Sequence, residues 1–593
     1  MSSHRPLRDY LEIRSAAPAN FSPDGTKLLV QSNLPGTAQL YVVPTAGGEL
    51  RRVTDFDEPV GGAYLPTTNE LVLATDAGGN ERTQLWLMAD DGSDLRPFVH
   101  DPDHIHRLGG ATRDGRLLAF ASNARNGTDF DVYVVGLDGG APRRVFEMGG
   151  WCQAGGFSPD GRWLAVLRLT ERSGDNDLYL VDVASGGVVH VSPHEDEASY
   201  SAPSWLPDST GFFFSSDHDR DRAAIARYDL ADGSWRYVVE RDWDASCHID
   251  WPGSHLLVET NEDGATRAEL LDPGSLQKAI DVPLPGRGVA GFGFSRDGRL
   301  LAYSYTSPTE PGDVWLYDCE RALTTRLTTS PRAVPAEEMM EPELHRFASF
   351  DGEEIAVFLY RPPTNDPPVI VYLHGGPESQ YVPSFNALIQ YFVARGYAVA
   401  APNVRGSTGY GKRFSHLDDG RRRLDAVADL AALHDWMRGT AGVDARRAAL
   451  YGGSYGGYLV LAGLAFQPER WAAGVSVVGI SSLKTFLEHT SPWRRRFRER
   501  EYGRLDADAD FLAEASPLSR ADDIRAPLFL IHGENDPRVP VGEARQIHDL
   551  LAAKGIPTEL VVYPDEGHGL AKLRNRLDAY PRAAAFLDGV LRP

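Results

Sequence analysis

Apolar and polar positions alternate along this chain with two different rhythms, and the change falls near Pro335. Before it, apolar residues come in short runs such as Trp163-Leu164-Ala165-Val166-Leu167 and Asp177-Leu178-Tyr179-Leu180-Val181, each ended by a turn with Gly or Asp. One turn unit recurs ahead of these runs: Phe21-Ser22-Pro23-Asp24-Gly25, Thr112-Arg113-Asp114-Gly115, Phe157-Ser158-Pro159-Asp160-Gly161 and Phe294-Ser295-Arg296-Asp297-Gly298. Degenerate copies at Leu65-Pro66-Thr67, Trp205-Leu206-Pro207-Asp208 and Trp251-Pro252-Gly253 place the marker near positions 23, 66, 113, 159, 207, 252 and 296, in steps of 43 to 48 residues. Asp-Gly turns between alternating strands at this period predict blades of about four antiparallel strands, hence a β-propeller. Seven markers predict seven blades. A row of β-sandwich domains would repeat only every ~100 residues.

After Pro335 a hairpin is expected over Glu343 to Arg361. Strands then alternate with helices: Val369 to Leu373, Tyr397 to Ala401, Ala448 to Tyr451, Gly474 to Ile480, Leu528 to His532 and Leu560 to Tyr563, with helices such as Asp425 to Arg438 and Ala544 to Lys554 between them. That pattern predicts a mostly parallel sheet covered on both faces, with ligands outside the carboxyl ends of its strands.

At one such end stands Gly452-Gly453-Ser454-Tyr455-Gly456, followed by an amphipathic helix pattern whose stretch Tyr458 to Phe466 reads as buried. Gly-x-Ser-x-Gly between strand and helix is the nucleophile elbow of an α/β-hydrolase: the serine sits on a strained turn, and small glycines let strand and helix approach. Ser454 is therefore the candidate nucleophile. It needs a base within hydrogen-bond reach, itself oriented by a carboxylate, in the chain order Ser, Asp or Glu, His. Asp536 follows the strand ending at His532 and is preferred over Glu534; His568, between Gly567 and Gly569, follows the last strand. His532, ending a buried strand and bonding to backbone, and His548, mid-helix, are decoys. The Tyr455 amide is the expected oxyanion donor, and Gly376 in His374-Gly375-Gly376-Pro377 is the candidate for the second. The fold class is thus a seven-bladed β-propeller (16–334) followed by an α/β-hydrolase domain (335–593), with residues 1–15 as a separate N-terminal segment.

Composition narrows the partners. The 60 basic and 83 acidic residues leave a net charge of -23, which repels nucleic acid and anionic lipid. The longest apolar stretch falls well short of the ~20 residues that cross a bilayer. Cys152, Cys247 and Cys319 lie far apart without metal-ligand spacing, so neither a disulfide framework nor a metal site is expected, and no cofactor is needed. No apolar segment follows the first charged residues, so a cytoplasmic setting is the expectation. Exposed propeller edges can pair between subunits, so a homo-oligomer stays open.

The propeller, Gly-Gly-Ser-Tyr-Gly-Gly, His-Gly-Gly-Pro, Asn403-Val404-Arg405-Gly406-Ser407-Thr408-Gly409-Tyr410-Gly411 and Asp536-Pro537-Arg538-Val539-Pro540 together resemble the prolyl oligopeptidase family of serine peptidases over nearly the whole chain. Gly453-Ser454-Tyr455 and the His-Gly-Gly-Pro loop look like its acylaminoacyl-peptidase branch; the prolyl oligopeptidases proper tend to carry Asn after the serine, and the dipeptidyl peptidases Trp before it. The resemblance implies a triad of Ser454, Asp536 and His568, and a substrate-holding Arg538, with Arg405 also placed among the substrate-binding residues. It further implies a helix near Leu7 to Ser15 packed on the hydrolase, and a propeller that admits only short peptides. Two stretches depart from the family pattern: Asp418-Asp419-Gly420-Arg421-Arg422-Arg423, and the basic Trp493-Arg494-Arg495-Arg496-Phe497-Arg498-Glu499-Arg500. In the second, Phe486, Trp493 and Phe497 are expected to line an apolar pocket where one arginine meets a carboxylate, which would suit release of C-terminal residues; a solvated, salt-bridged helix is the competing reading. Glu195, Asp196 and Glu197 are the nearest thing to an acidic group that would recognise a free amino terminus. The expected activity is hydrolysis of short peptides through an acyl-enzyme on Ser454. An esterase or amidase for small acyl compounds, an exopeptidase of the same family, and a binding protein with an inert hydrolase are the rivals.

Overall fold

The structure, a computed structural model, describes residues 5–439 and 442–592. Its first part holds seven four-stranded antiparallel sheets, each built from four consecutive strands, beginning at Ala16–Phe21 and ending at Leu323–Arg326. The repeated turn joins the first two strands of each blade, and its side chains explain why it recurs. In blade 1 the Ser22 hydroxyl donates to Asp24 Oδ1 (2.7 Å), which also accepts from the Thr26 amide (3.0 Å), while Gly25 takes φ 71°. Thr112 with Asp114, Ser158 with Asp160 and Ser295 with Asp297 repeat the arrangement. A short side chain that closes its own turn fits the many tight reversals a blade needs. In the degenerate fifth copy Ser209 occupies the left-handed position at φ 61°.

No blade borrows a strand from another among the described residues, so apolar packing closes the ring. Phe21, Leu28 and Val30 of the first blade share one cluster with Leu300, Ala302 and Val314 of the last.

The second part is an eight-stranded sheet in the spatial order Glu343–Ala348, Glu354–Tyr360, Ala398–Asn403, Pro368–Leu373, Asp444–Gly453, Ala473–Val477, Leu528–Gly533, Thr558–Tyr563. The first three strands pair antiparallel and the rest parallel. From Pro368–Leu373 the chain goes first to one neighbour, Ala398–Asn403, and later to the other, Asp444–Gly453. This is a topological switch point, where the loops leaving two adjacent strands diverge and open a crevice. The loops leaving it carry His374–Pro377 and Ser454.

The helix after the elbow, Tyr455–Phe466, departs from the amphipathic expectation: every residue but Phe466 is buried. It lies between the sheet and an outer layer that includes helix Arg423–Gly439, so it has no wet face. On the opposite face of the sheet, helices Ala387–Ala394 and Leu573–Leu591 pack with the N-terminal helix Leu7–Leu11, which buries Leu7, Tyr10 and Leu11 in the hydrolase core. Replacing Leu11 by Ala is expected to lower hydrolase stability by about 2–5 kcal/mol, read by urea unfolding; a loss below the error of that measurement would show that the segment is only laid on the surface.

Candidate active site

Ser454 sits at φ 57°, ψ -119°, between strand Asp444–Gly453 and helix Tyr455–Phe466. Contacts with neither room nor slack hold it there. A Cβ on Gly452 would lie 2.4 Å from the Gly456 carbonyl oxygen, and one on Gly456 would lie 2.2 Å from that of Leu373. The Ser454 amide donates to the Val477 carbonyl (2.8 Å), tying the turn to the next strand. The hydroxyl is thus carried to the sheet's rim, where the first-turn amides of the following helix lack intrahelical acceptors.

His568 Nε2 lies 2.9 Å from Ser454 Oγ, and His568 Nδ1 lies 2.7 Å from Asp536 Oδ2. The other Asp536 oxygen accepts from the amides of Arg538 (2.8 Å) and Val539 (3.0 Å). Burial alone would push this carboxyl up; the charges of His568 and His532 and the hydrogen bonds from His568 and Val539 outweigh it, so its pKa lies below the ordinary carboxylate value. Asp536 therefore stays ionised beside the imidazole. His532 is buried with Nε2 against the Val539 carbonyl (2.8 Å) and 3.6 Å from Asp536 Oδ2, and His548 lies in the helix Gly542–Ala553, where its ring meets Asp549 (3.0 Å).

A cavity of about 140 Å³ opens beside Ser454 and His568, lined by Gly376, Glu378, Ile480, Phe486, Arg494, Arg498, Glu501, Tyr502, Arg538 and Val539. Gly376 takes φ 133°, a backbone region open to glycine. Its loop is pinned by His374, whose ring contacts the Ser407 hydroxyl (2.9 Å) and the Gly375 carbonyl (2.8 Å). Phe486 reaches the cavity from helix Leu483–His489, which Ser482 caps and buried Glu543 anchors by accepting from the Ser481 and Ser482 amides (3.0 and 2.8 Å).

Three expected substrate contacts are elsewhere. Arg405 is 2% exposed and spends its guanidinium on Asp429 (2.8 Å) and Asp351 (3.0 Å). With its fork filled by two carboxylates of the hydrolase itself, it supports the Asn403–Gly411 loop and does not face the cavity. Trp493 and Phe497 lie on the outer side of helix Pro492–Tyr502, with ring centroids 5.2 and 4.8 Å from propeller Trp151, so they fasten that helix to blades 3 and 4 and leave the cavity beside Ser454 to Phe486, Ile480 and Tyr502. Glu195, Asp196 and Glu197 are also remote: Asp196 and Glu197 line a separate cleft with Lys412 and His416.

The stretch Asp418–Arg423 is structural. Arg423, fully buried, pairs with Asp418, donates to the Glu501 carbonyl (2.8 Å) and lies over the rings of Tyr455 and Tyr502. Tyr455 in turn donates its hydroxyl to Asp418 (2.8 Å), so this ion pair underlies both the elbow helix and the cavity floor.

Sequence reasoning missed Glu378, Glu501, Tyr502 and Glu81, and named Arg498 only as one of several arginines of the basic stretch. Glu378 directly follows His-Gly-Gly-Pro, and Arg498 with Glu501 has helical i, i+3 spacing, so both carried a signal. Glu81 carried none: it pairs with Arg538 across 457 positions.

The propeller meets the hydrolase on both sides of Ser454. On one side Asn535 Nδ2 donates to the Gly78 carbonyl (2.9 Å), and Gly79 packs so closely on Gly567 that a Cβ would sit 2.4 Å from its amide nitrogen. On the other, Glu378 accepts from the Ser173 hydroxyl (2.8 Å) and the Gly174 amide (3.1 Å) of blade 4.

Because Arg405 holds two carboxylates and does not line the cavity beside Ser454, Arg405→Ala is expected to lower stability by about 3–5 kcal/mol while KM of the folded fraction stays at the wild-type value. Thermal unfolding and steady-state kinetics below the transition check this; a raised KM with unchanged stability would return Arg405 to the substrate.

Two family models match the chain: "Prolyl oligopeptidase family" over residues 383–593 and "Prolyl oligopeptidase, N-terminal beta-propeller domain" over residues 147–329. Dipeptidyl aminopeptidase BIII of Pseudoxanthomonas mexicana is 28% identical over 592 residues, 94% of this chain and 84% of that protein. The acylamino-acid-releasing enzyme of Rattus norvegicus is 27% identical over 249 residues, 41% of this chain and 34% of that protein. Among solved structures, puromycin hydrolase superposes with a TM-score of 0.84 at 21% identity, over 99% of this chain and 97% of that one, which shows the shared fold. Both the propeller and the hydrolase match models of one family, and the chain belongs to the prolyl oligopeptidase family of serine peptidases.

Proposed function

We propose that the chain hydrolyses short peptides by acyl transfer through Ser454, with His568 as base and then acid, Asp536 orienting the imidazole, and the Tyr455 and Gly376 amides holding the oxyanion. The support is the continuous relay from Ser454 through His568 to Asp536 at 2.9 and 2.7 Å, with the acid buried and ionised. In such a relay the imidazole takes the hydroxyl proton as the carbonyl is attacked and returns it to the leaving amine, while the carboxylate stabilises the imidazolium. The restriction to short peptides rests on the propeller contacts at Gly78–Gly79 and Ser173–Gly174, which flank Ser454 and leave a folded substrate no approach from those sides. A reducing, cytoplasmic setting is part of the proposal; Cys152, Cys247 and Cys319 are all unpaired.

A second reading, release of dipeptides from a free amino terminus, is favoured by one observation. Glu81 Oε1 accepts from Arg538, but among the described residues its Oε2 is buried without a partner, and Glu81 lines a cleft that reaches His568. An ammonium group would satisfy that oxygen. The relative named dipeptidyl aminopeptidase, aligned over 94% of this chain, fits the same reading.

A fluorophosphonate is expected to label the wild type and not Ser454→Ala, and that variant should lose ~10⁴- to 10⁶-fold in turnover with the fold intact. Asp536→Asn should lose ~10⁴-fold through the wrong imidazole tautomer. Labelling that survives Ser454→Ala would reject the nucleophile. Acetyl-capped and free-amino dipeptidyl anilides, run beside a short acyl ester, separate the two peptidase readings from an esterase: Glu81→Gln should weaken turnover of the free-amino substrate only if Glu81 holds the ammonium, and peptide rates no better than ester background would sink both.

A further inference from the structure

Three guanidinium groups line the cavity beside Ser454: Arg494, Arg498 and Arg538. Two are matched. Arg498 Nη1 reaches Glu501 at 2.7 Å, and Arg538 pairs with Glu81. Arg494 is not: among the described residues it forms no ion pair or side-chain hydrogen bond, its Nε is buried without a partner, and the ring of Trp493 lies 5.1 Å from its guanidinium. Burial and the charges of Arg498 and Arg538 push its pKa down to about 9, so the group remains charged at neutral pH.

The charges of Glu81 and Asp536 oppose that shift, but among the described residues neither carboxylate pairs with Arg494. Glu378 is turned to Ser173 and Gly174 of the propeller. Glu501 has its pKa pushed well up, first by burial and further by Glu378 beside it, although Arg498 opposes the shift. Arg494 thus stands, among the described residues, without a direct carboxylate partner at the wall of a small, partly apolar cavity. A guanidinium taken from water without an acceptor is unfavourable, and its planar fork matches a carboxylate in two parallel hydrogen bonds. Ile480, Phe486 and Tyr502 complete the wall, and about 140 Å³ limits the guest to a short group.

We propose that Arg494 anchors a carboxylate of the substrate in the pocket beside Ser454, making this peptidase selective for peptides that place a carboxylate there; the assignment rests on Ser454 being the nucleophile. Two parts of a peptide present this chemistry: an Asp or Glu side chain on the residue whose carbonyl is attacked, and the terminal α-carboxylate.

The test compares acid with isosteric amide in both positions. One arm uses acetyl-Ala-Glu and acetyl-Ala-Gln aminomethylcoumarins; the other uses acetyl-Ala-Phe-Ala with a free or an amidated terminus, with products followed by mass spectrometry. In the wild type the acid is expected to exceed its amide by about 10- to 100-fold in kcat/KM in one arm, which then names the source. In Arg494→Met that ratio should fall to near one, Arg494→Lys should keep part of it, and Arg494→Glu should reverse the first arm in favour of a Lys substrate. Each ratio is taken within one preparation, so partial unfolding cancels. Ratios near one in both arms of the wild type, or a ratio unaltered in Arg494→Met, overturn the assignment. Should the wild type fail to react with a fluorophosphonate and cleave nothing, the nucleophile reading itself falls, and the assignment with it.

Discussion

The site depends on one backbone constraint: Ser454 held at φ 57°. A non-glycine residue in that region is strained by about 1–3 kcal/mol, and it persists only where the surroundings leave no alternative. Here the surroundings are backbone, not side chain. Gly452 and Gly456 touch, and Gly456 touches the Leu373 carbonyl, so strand, helix and the loop above the neighbouring strand are packed without intervening Cβ atoms. The same closeness that forces the turn brings the His374–Pro377 loop within reach of the serine. Strain, nucleophile placement and oxyanion geometry are therefore consequences of one contact.

Around this contact the hydrolase is supported by buried charge. Arg405 between Asp429 and Asp351, and Arg423 between Asp418 and the Glu501 carbonyl, tie loops that have little apolar surface of their own. Such pairs are poor sources of net stability but strongly unfavourable to break, because the survivor is left as an uncompensated ion. They act here as position-setting braces: the Arg423 pair touches Tyr455 of the elbow helix and Tyr502 of the cavity wall together. The cavity wall gathers three guanidinium groups and two carboxyls in an acidic protein.

The propeller contributes more than bulk. Its blade 2 loop supplies Glu81 to Arg538 and backbone to Asn535 and Gly567, and its blade 4 loop supplies Ser173 and Gly174 to Glu378. Both seams lie next to the loops that carry Asp536, His568 and Gly376. Any opening of the propeller against the hydrolase must break polar contacts made by these very loops, so substrate access and the arrangement of the reacting groups are mechanically linked.

By itself the sequence determined what local chemistry can encode. Turns closed by their own Ser or Thr and Asp side chains marked four of the seven blades, glycines at strained positions marked the elbow, and residues just past buried strands marked Asp536 and His568, because a strand's end in a parallel sheet is a fixed place. Tertiary structure alone decided which way long, charged side chains turn. Arg405, Arg494, Arg498 and Arg538 are the same residue type in loops and one short helix, yet one braces a loop between two carboxylates, one has no ion-pair partner among the described residues, and two meet a single carboxylate each. Trp493 and Phe497 went to the propeller because Trp151 and Phe130 were there to receive them. An arginine or tryptophan pairs with whatever the fold brings near it, and partners such as Glu81, 457 positions away, leave no trace in local spacing.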